Sequence, residues 1–149
     1  MIKTAITGVA GRMGGRILSL LMEEEGIKIM GAIEREGHPV VGKDVGVVAG
    51  GGQIGVLVSD GIEEAAFDAD VVVDFTVPGA TLSNAEYASK TGKAMVIGTT
   101  GFSEDEKKQI EGLAKGFPCV MSPNMSIGVN VMFEVASKLA QFLGDEFDV

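Results

Sequence analysis

Short apolar runs alternate along this chain with segments in which apolar residues recur every three or four positions. These runs predict strands at residues 2–7, 27–33, 56–58, 71–75, 94–97 and 119–121, of which 27–33 is partly alternating. The continuous run at 71–75 is typical of a central parallel strand that is buried on both faces. The helical spacing predicts longer helices at residues 16–22, 78–90, 103–116 and 129–143. Strands that alternate with helices indicate an α/β fold, a Rossmann-like, doubly wound parallel sheet.

Several helix ends are marked by the residues that usually cap them. Ser103 and Glu106 have the spacing of a capping box, and so do Asp60 and Glu63, which predict a further brief helix. Pro78 suits the first turn of the helix that it begins, because its fixed φ and missing N–H are tolerated there.

Two segments carry weaker or mixed signals. Residues 36–55 are rich in glycine and valine without a clear period, which predicts a long surface loop with room for one short strand. The last helix places Met132, Val135, Ala136, Leu139 and Leu143 on one face, and Glu134 with Lys138 on another as an i, i+4 pair.

A glycine-rich turn joins the first strand to the first helix. Gly8, Gly11 and Gly14 give the spacing G-x-x-G-x-x-G, which is a variant of the dinucleotide-binding pattern. In that pattern glycines allow a sharp turn and a close approach of the backbone to a pyrophosphate, which the helix N-terminus attracts. The alternative is an ordinary glycine turn between a strand and a helix.

An acidic and a basic residue follow the second strand. Glu34 lies 20 positions after Gly14, where a dinucleotide fold places the acid that accepts the adenosine ribose hydroxyls. Arg35 could instead pair with a 2′-phosphate. The two residues together favour a site that takes either NADH or NADPH, and the alternative is an ordinary surface ion pair.

The predicted strands end in small, polar or aromatic residues. Because ligands of a doubly wound sheet bind beyond the carboxyl ends of its strands, we expect these strand ends to line one crevice. They are residues 8–14, 34–35, 75–76, 98–100 and 122–125.

Composition limits the possible partners and compartments. The formal net charge of −9 argues against nucleic acid and against an anionic membrane surface. No run is long and apolar enough to span a bilayer, and the N-terminus does not resemble a signal peptide. Cys119 is the only cysteine, which leaves no internal disulfide or metal cluster and favours a cytoplasmic location.

Five segments resemble one enzyme family, the dihydrodipicolinate reductases, also called 4-hydroxy-tetrahydrodipicolinate reductases, of lysine and diaminopimelate biosynthesis. The most specific are Gly-Thr-Thr-Gly-Phe at 98–102 and Asn-Met-Ser-Ile-Gly-Val-Asn at 124–130. The others are residues 8–14, 32–37 and 73–76, and the match runs in order along the whole chain.

The resemblance implies that the chain binds NADH or NADPH. It implies pyrophosphate contacts from the glycine turn, adenosine ribose or phosphate contacts from Glu34 and Arg35, and nicotinamide contacts from the later strand ends. The implied cofactor-binding residues are Gly8, Val9, Ala10, Gly11, Arg12, Met13, Glu34, Arg35, Phe75, Thr76, Gly98, Thr99, Thr100, Ser122, Pro123, Asn124 and Met125. Family members often carry an aromatic residue in place of Met125, so stacking at that position should differ here.

The family reaction is hydride transfer from NAD(P)H to a cyclic dicarboxylate, and full-length members form homotetramers. They are nearly twice as long as this chain, and their substrate-domain signature should begin just after Val149. The resemblance therefore implies a dinucleotide-binding domain at 1–126, and at 127–149 a helix and the start of a truncated substrate domain, with a strand from Phe147. It implies no catalytic residue here, and we expect the chain alone to bind cofactor without reducing substrate.

Two other interpretations stay open at this point. One is a stand-alone NAD(P)-binding module that senses redox state or serves as an interaction domain. The other is a different aspartate-pathway dehydrogenase, which should lack the segments at 98–102 and 124–130.

Overall fold

A computed structural model describes residues 1–144 and 147 of the chain. Six parallel strands form one sheet in the order β3-β2-β1-β4-β5-β6. They are β1 (Ile2–Thr7), β2 (Ile27–Ile33), β3 (Val58–Ser59), β4 (Val71–Asp74), β5 (Ala94–Ile97) and β6 (Cys119–Met121). The predicted doubly wound α/β fold is confirmed.

Helices connect the strands. They are α1 (Arg12–Glu23), α2 (Val45–Val48), α3 (Ile62–Ala65), α4 (Pro78–Thr91), α5 (Glu104–Leu113) with a 3₁₀ turn at Ala114–Gly116, and α6 (Ile127–Leu143). Within residues 1–144 and 147, none of these helices combines the length and hydropathy needed to cross a bilayer.

The strand order reverses beside β1. The chain winds outward from β1 to β2 and β3, then returns to place β4 on the other side of β1. This reversal opens a crevice at the carboxyl ends of β1 and β4, where ligands bind in doubly wound folds.

The two faces of the sheet carry separate hydrophobic clusters. Ala5 and Ile6 are neighbours on β1 but belong to different clusters, because successive residues of a strand point to opposite faces. Both side chains are almost completely buried. The core therefore fixes β1 from both sides and holds the turn that follows it.

Two of the three predicted signals for helix starts are confirmed. Helix α1 begins four residues earlier than predicted. Ser103 caps α5, and its N–H donates to the Glu106 carboxylate at 2.7 Å, which completes the capping box. Pro78 is in the first turn of α4. The capping box at Asp60 was wrong: α3 begins after Gly61 with no side-chain cap, and the Gly61 N–H donates instead to the Ser59 hydroxyl at 3.1 Å.

The segment between β2 and β3 also differs from its prediction. It contains the short helix α2 rather than a strand, and β3 starts two residues later than predicted. The Asp44 carboxylate organises the segment by accepting backbone N–H bonds from Gly46 at 2.9 Å, Ile54 at 3.1 Å and Gly55 at 2.7 Å. These bonds could not be predicted from local patterns, because they join residues up to eleven positions apart.

The predicted last helix, α6, is present, but no part of the described structure packs on its apolar side. It starts two residues earlier than predicted, since the Ser126 hydroxyl caps it, and no side chain along it is buried within the described residues. The predicted ion pair between Glu134 and Lys138 is present at 3.1 Å. Of the strand expected from Phe147, residues 148 and 149 lie outside the described residues.

Candidate functional site

The turn after β1 has the tight geometry that its glycines predict. Gly8 has φ +69°, a conformation that residues with a side chain rarely adopt. A Cβ atom on Gly14 would overlap the Gly8 carbonyl oxygen. Helix α1 can therefore approach the end of β1 only with glycine at this position, which is the role that the pattern assigns to it.

The start of α1 offers backbone N–H groups to an anion. Gly11 caps the helix without a side-chain hydrogen bond, and the first backbone bond of the helix runs from the Gly15 N–H to the Gly11 carbonyl at 2.9 Å. The N–H groups of Arg12, Met13 and Gly14 consequently have no intrahelical acceptor. Together with the helix dipole they form a site for a phosphate.

Two earlier N–H groups of the turn are already used. Those of Gly8 and Val9 donate to the Ile33 carbonyl at 2.8 and 3.3 Å, and the Val9 side chain is buried in the core. These bonds fasten the turn to the end of β2. They bring Glu34, the residue that follows β2, directly beside the turn.

The Glu34 carboxylate lies over the glycine turn. Its Oε2 accepts the Ala10 N–H at 2.9 Å, and its Oε1 accepts the Arg35 N–H at 3.0 Å. Among the described residues no ion pair joins Glu34 to Arg35, so the alternative of an ordinary surface pair is not what the structure shows. The Glu34 carboxylate therefore lies against the backbone of the glycine turn.

A cavity of about 800 Å³ opens at these strand ends, a volume within the range of small-molecule and cofactor sites. Six of the predicted site residues line it, which are Gly8, Gly11, Glu34, Arg35, Phe75 and Thr76. The predicted crevice is therefore formed at the ends of β1, β2 and β4. The expectation that residues 98–100 and 122–125 would also line it was wrong.

The end of β5 supports the cavity from behind. A Cβ atom on Gly98 would overlap the Phe75 ring, so the ring packs directly on the glycine backbone. Thr99 is buried, and its hydroxyl accepts the Thr76 N–H at 3.0 Å, whereas Thr100 is exposed. Gly98 and Thr99 thus act on the cavity through Phe75 and Thr76 rather than by lining it.

The turn after β6 lies farther along the sheet and does not line this cavity. The Ser122 N–H donates to the Ile97 carbonyl at 3.1 Å, which ties the turn to β5. The Ser122 hydroxyl donates to the Asn124 carbonyl at 2.8 Å, and the Asn124 side chain accepts the Ser126 N–H at 2.8 Å. Pro123 and Met125 are exposed.

Sequence reasoning missed one wall of the cavity. It is formed by residues after β3 and by one face of α4, namely Asp60, Glu63, Ala80, Ser83, Asn84, Tyr87, Lys90 and Thr91. Burial and the nearby Glu63 carboxylate raise the pKa of the Tyr87 phenol. The lining residues of α4 recur every three or four positions, which places them on one face of the helix. That face mixes small and polar side chains, so its pattern does not resemble the apolar face of a core helix.

The residues present suit a dinucleotide. The free N–H groups of α1 match the two negative phosphates, Glu34 can accept ribose hydroxyls, and Arg35 provides a cation for an additional phosphate. The cavity extends from the turn on both sides, toward Glu34 and toward Phe75, as an elongated ligand requires.

The family model for the N-terminus of dihydrodipicolinate reductase matches residues 2–125. The chain belongs to the dihydrodipicolinate reductase family. It is 48% identical, over all 149 of its residues, to a 4-hydroxy-tetrahydrodipicolinate reductase of Geobacter sp. strain M21, and 49% identical to that of Geotalea uraniireducens. The chain spans 56% of the length of each of these reductases.

A solved dihydrodipicolinate reductase has the same fold. It is the enzyme from Paenisporosarcina sp. TG-14 with dipicolinate bound, which superposes with a TM-score of 0.72 at 26% sequence identity. The superposition covers 92% of this chain and 52% of that one. The family resemblance inferred from the sequence is thereby confirmed.

Proposed function

We propose that this chain is the cofactor-binding part of an NAD(P)H-dependent 4-hydroxy-tetrahydrodipicolinate reductase of lysine and diaminopimelate biosynthesis. The observation that carries the proposal is the Glu34 carboxylate beside the free N–H groups of the glycine turn, in a chain of this reductase family. The small-molecule substrate is a cyclic dicarboxylate, and the compartment is the cytoplasm. The full-length protein is a homotetramer without nucleic-acid or membrane partners.

The adenosine half of the cofactor lies on the β2 side of the turn in this proposal. The pyrophosphate is bound by the free N–H groups of Arg12 and Met13 and competes with Glu34 for the Ala10 N–H, with Gly8 and Gly11 allowing its approach. Glu34 accepts hydroxyl groups of the adenosine ribose, and Arg35 binds the 2′-phosphate when NADPH is the ligand. The same two residues give the site tolerance for both cofactors.

The nicotinamide half lies on the β4 and β5 side. The bound cofactor supplies the hydride. Phe75 and Thr76 border the cavity here, and we assign further contacts to Gly98, Thr99 and Thr100 and to residues 122–125. These residues orient the ring and limit its contact with water, and no proton-donating residue is assigned to the chain.

We also propose a division of the chain near residue 126. Residues 1–126 form the dinucleotide-binding domain, and residues 127–149 begin the substrate and tetramerisation domain. The support is that the sheet and its cavity lie within the first segment, whereas α6 has no buried side chain among the described residues.

The test is a titration with NADH and, separately, NADPH, followed by nicotinamide fluorescence. The chain contains no tryptophan, so energy transfer from that residue does not contribute to the signal. We expect saturable binding of both cofactors, with Arg35→Ala weakening mainly NADPH binding and Glu34→Ala weakening NADH binding.

Matched controls are Lys28→Ala and Glu25→Ala, which remove exposed charges at the opposite ends of the strands. Both controls should bind like the wild type. Absence of saturable binding by a chain whose circular dichroism shows a folded α/β protein would contradict the proposal. Steady-state reduction of substrate by the 149-residue chain would contradict the part that assigns it no proton donor.

A further inference from the structure

A carboxylate with no exposed surface lies at the carboxyl end of β4. Asp74 is 0% exposed. Its Oδ2 accepts the Asn84 side-chain N–H at 2.8 Å, and its Oδ1 accepts the Thr76 N–H at 3.0 Å and the Thr76 hydroxyl at 2.6 Å. The Thr99 hydroxyl is a fourth donor at 3.3 Å. A buried carboxylate that lacks hydrogen-bond donors is costly. The loss of any of these donors should therefore destabilise the fold.

Two hydroxyl groups of this cluster donate to Asp74. A threonine hydroxyl has one proton to donate. The Thr76 and Thr99 protons are directed at Asp74, and the Thr81 hydroxyl donates to the Thr99 oxygen at 2.8 Å. The Thr81 oxygen is also 3.3 Å from the Thr76 oxygen, and either hydroxyl could donate there. The Asp74 carboxylate, at 2.6 Å, is the nearer and charged acceptor for the Thr76 proton.

This orientation determines what Thr76 offers to the cavity. Thr76 lines the cavity. Its hydroxyl proton is bonded to Asp74, so a ligand group that reaches this oxygen meets an acceptor. The same cluster fixes the backbone, since the Gly98 N–H donates to the Asp74 carbonyl at 2.8 Å. This bond ties the end of β5 to the end of β4.

The sheet order separates this cluster from the adenosine side. Glu34 follows β2, on one side of β1, whereas Asp74 ends β4, on the other side. A dinucleotide whose pyrophosphate is bound at the turn after β1 and whose adenosine ribose is bound by Glu34 must extend its second half toward β4 and β5.

We propose that Asp74 is a positioning residue that makes Thr76 a hydrogen-bond acceptor for the nicotinamide half of the dinucleotide. The partner of Thr76 is an N–H or O–H donor of that half, either the carboxamide or a ribose hydroxyl. This inference rests on the proposed cofactor-binding function. It adds a residue that touches no ligand and acts through the strand ends.

The test compares NADH with ADP, which lacks the nicotinamide half, by titration calorimetry. Asp74→Asn keeps the shape of the side chain but replaces one acceptor oxygen with an NH₂ donor. That donor must face either the threonine donors or the Asn84 N–H, so hydrogen bonds of the cluster are lost. We expect NADH affinity to fall about tenfold, as loss of an oriented hydrogen bond implies, while ADP affinity changes by less than about twofold. A variant that merely loses structure would instead show reduced affinity for both NADH and ADP.

Two further variants keep the test decisive if Asp74→Asn folds poorly. In Asp74→Asn combined with Asn84→Asp, the new amide carbonyl faces the threonines and the new carboxylate accepts the amide N–H, so NADH affinity and thermal stability should both recover. Thr76→Val preserves the side-chain shape without its oxygen and should reproduce the selective loss of NADH affinity.

Val72→Ala is the matched control, because Val72 is equally buried on β4 but belongs to the hydrophobic cluster. It should lower stability and leave both affinities unchanged. If the wild-type protein binds NADH, and both Asp74→Asn and Thr76→Val bind it as tightly as the wild type, this inference is wrong while the proposed function still stands. If wild-type protein does not bind NADH, the proposed function fails and this inference with it.

Discussion

The Glu34 carboxylate accepts a hydrogen bond from the Ala10 N–H at 2.9 Å. One side chain at the end of β2 thereby reaches the turn that would hold a pyrophosphate. The two proposed parts of the adenosine site are therefore in direct contact. A ligand phosphate bound at the turn would therefore compete with the Glu34 carboxylate for the Ala10 N–H.

This competition predicts opposite effects of one substitution on two ligands. Glu34→Ala frees the Ala10 N–H and removes a negative charge from the turn, so affinity for inorganic pyrophosphate should rise about threefold, consistent with a partly exposed charge-assisted bond. NADH affinity should fall, because the ribose loses its acceptor. Calorimetric titration of both ligands measures the two effects, and a fall in pyrophosphate affinity would refute the competition.

The close approach of α1 to the turn predicts a strong effect of a single methyl group. A Cβ on Gly14 would overlap the Gly8 carbonyl oxygen, so Gly14→Ala should cost about 1–3 kcal/mol of unfolding free energy and weaken cofactor binding. Gly112→Ala is the control. Gly112 is within α5 with no atom in the way of a Cβ, and alanine there should stabilise the protein by about 0.5–1 kcal/mol. Urea unfolding distinguishes the two, and equal effects would refute the packing argument.

The contact between Phe75 and Gly98 predicts coupling between two substitutions. Gly98→Ala would overlap the Phe75 ring and should cost about 1–3 kcal/mol, while displacing a residue that lines the cavity. Phe75→Leu gives a smaller side chain, so the double variant should regain part of the stability that Gly98→Ala loses. A double-mutant cycle on unfolding free energy measures this coupling, and strictly additive effects would show that the two residues do not constrain each other.

The Asp44 carboxylate predicts a pH dependence of stability. Burial raises its pKa, but the backbone N–H bonds from Ile54, Gly55, Gly46 and Val47 outweigh burial and hold it below the ordinary value of 3.8. A lowered folded-state pKa means that Asp44 stabilises the fold above the unfolded pKa, and that this stabilisation is lost as the pH falls through the folded value.

The stability difference between wild type and Asp44→Asn should therefore be constant near neutral pH and shrink below about pH 4, near the ordinary pKa of an aspartate. Urea unfolding at a series of pH values measures it. Asp68→Asn, at an exposed acid, is the control. A difference that grows on acidification would contradict the assigned role of Asp44.

Local sequence patterns correctly predicted two interactions between residues that are close in the chain. The capping box of Ser103 and Glu106 and the i, i+4 pair of Glu134 and Lys138 were predicted and are present, because each involves residues at most four positions apart. The same kind of signal was wrong at Asp60, where the chain turns through a bond between Ser59 and Gly61 instead.

Contacts between distant residues could not be predicted in this way. The wall of the cavity formed by α4 and the residues after β3 depends on how the helix rotates against the sheet, which local spacing does not specify. The donors around Asp74 come from residues up to 25 positions away. In the sequence Asp74 is simply an acid at the end of an apolar run.

By itself the sequence determined the order of strands and helices, the glycine turn and the family, because hydrophobic period, glycine spacing and motifs are local properties. Only the tertiary structure decided that Glu34 bonds to Ala10, that Phe75 packs on Gly98, and that Thr99 supports the cavity without lining it. These relationships arise because the sheet places residues from separate strands side by side. Close packing and buried hydrogen bonds then fix which groups face a ligand.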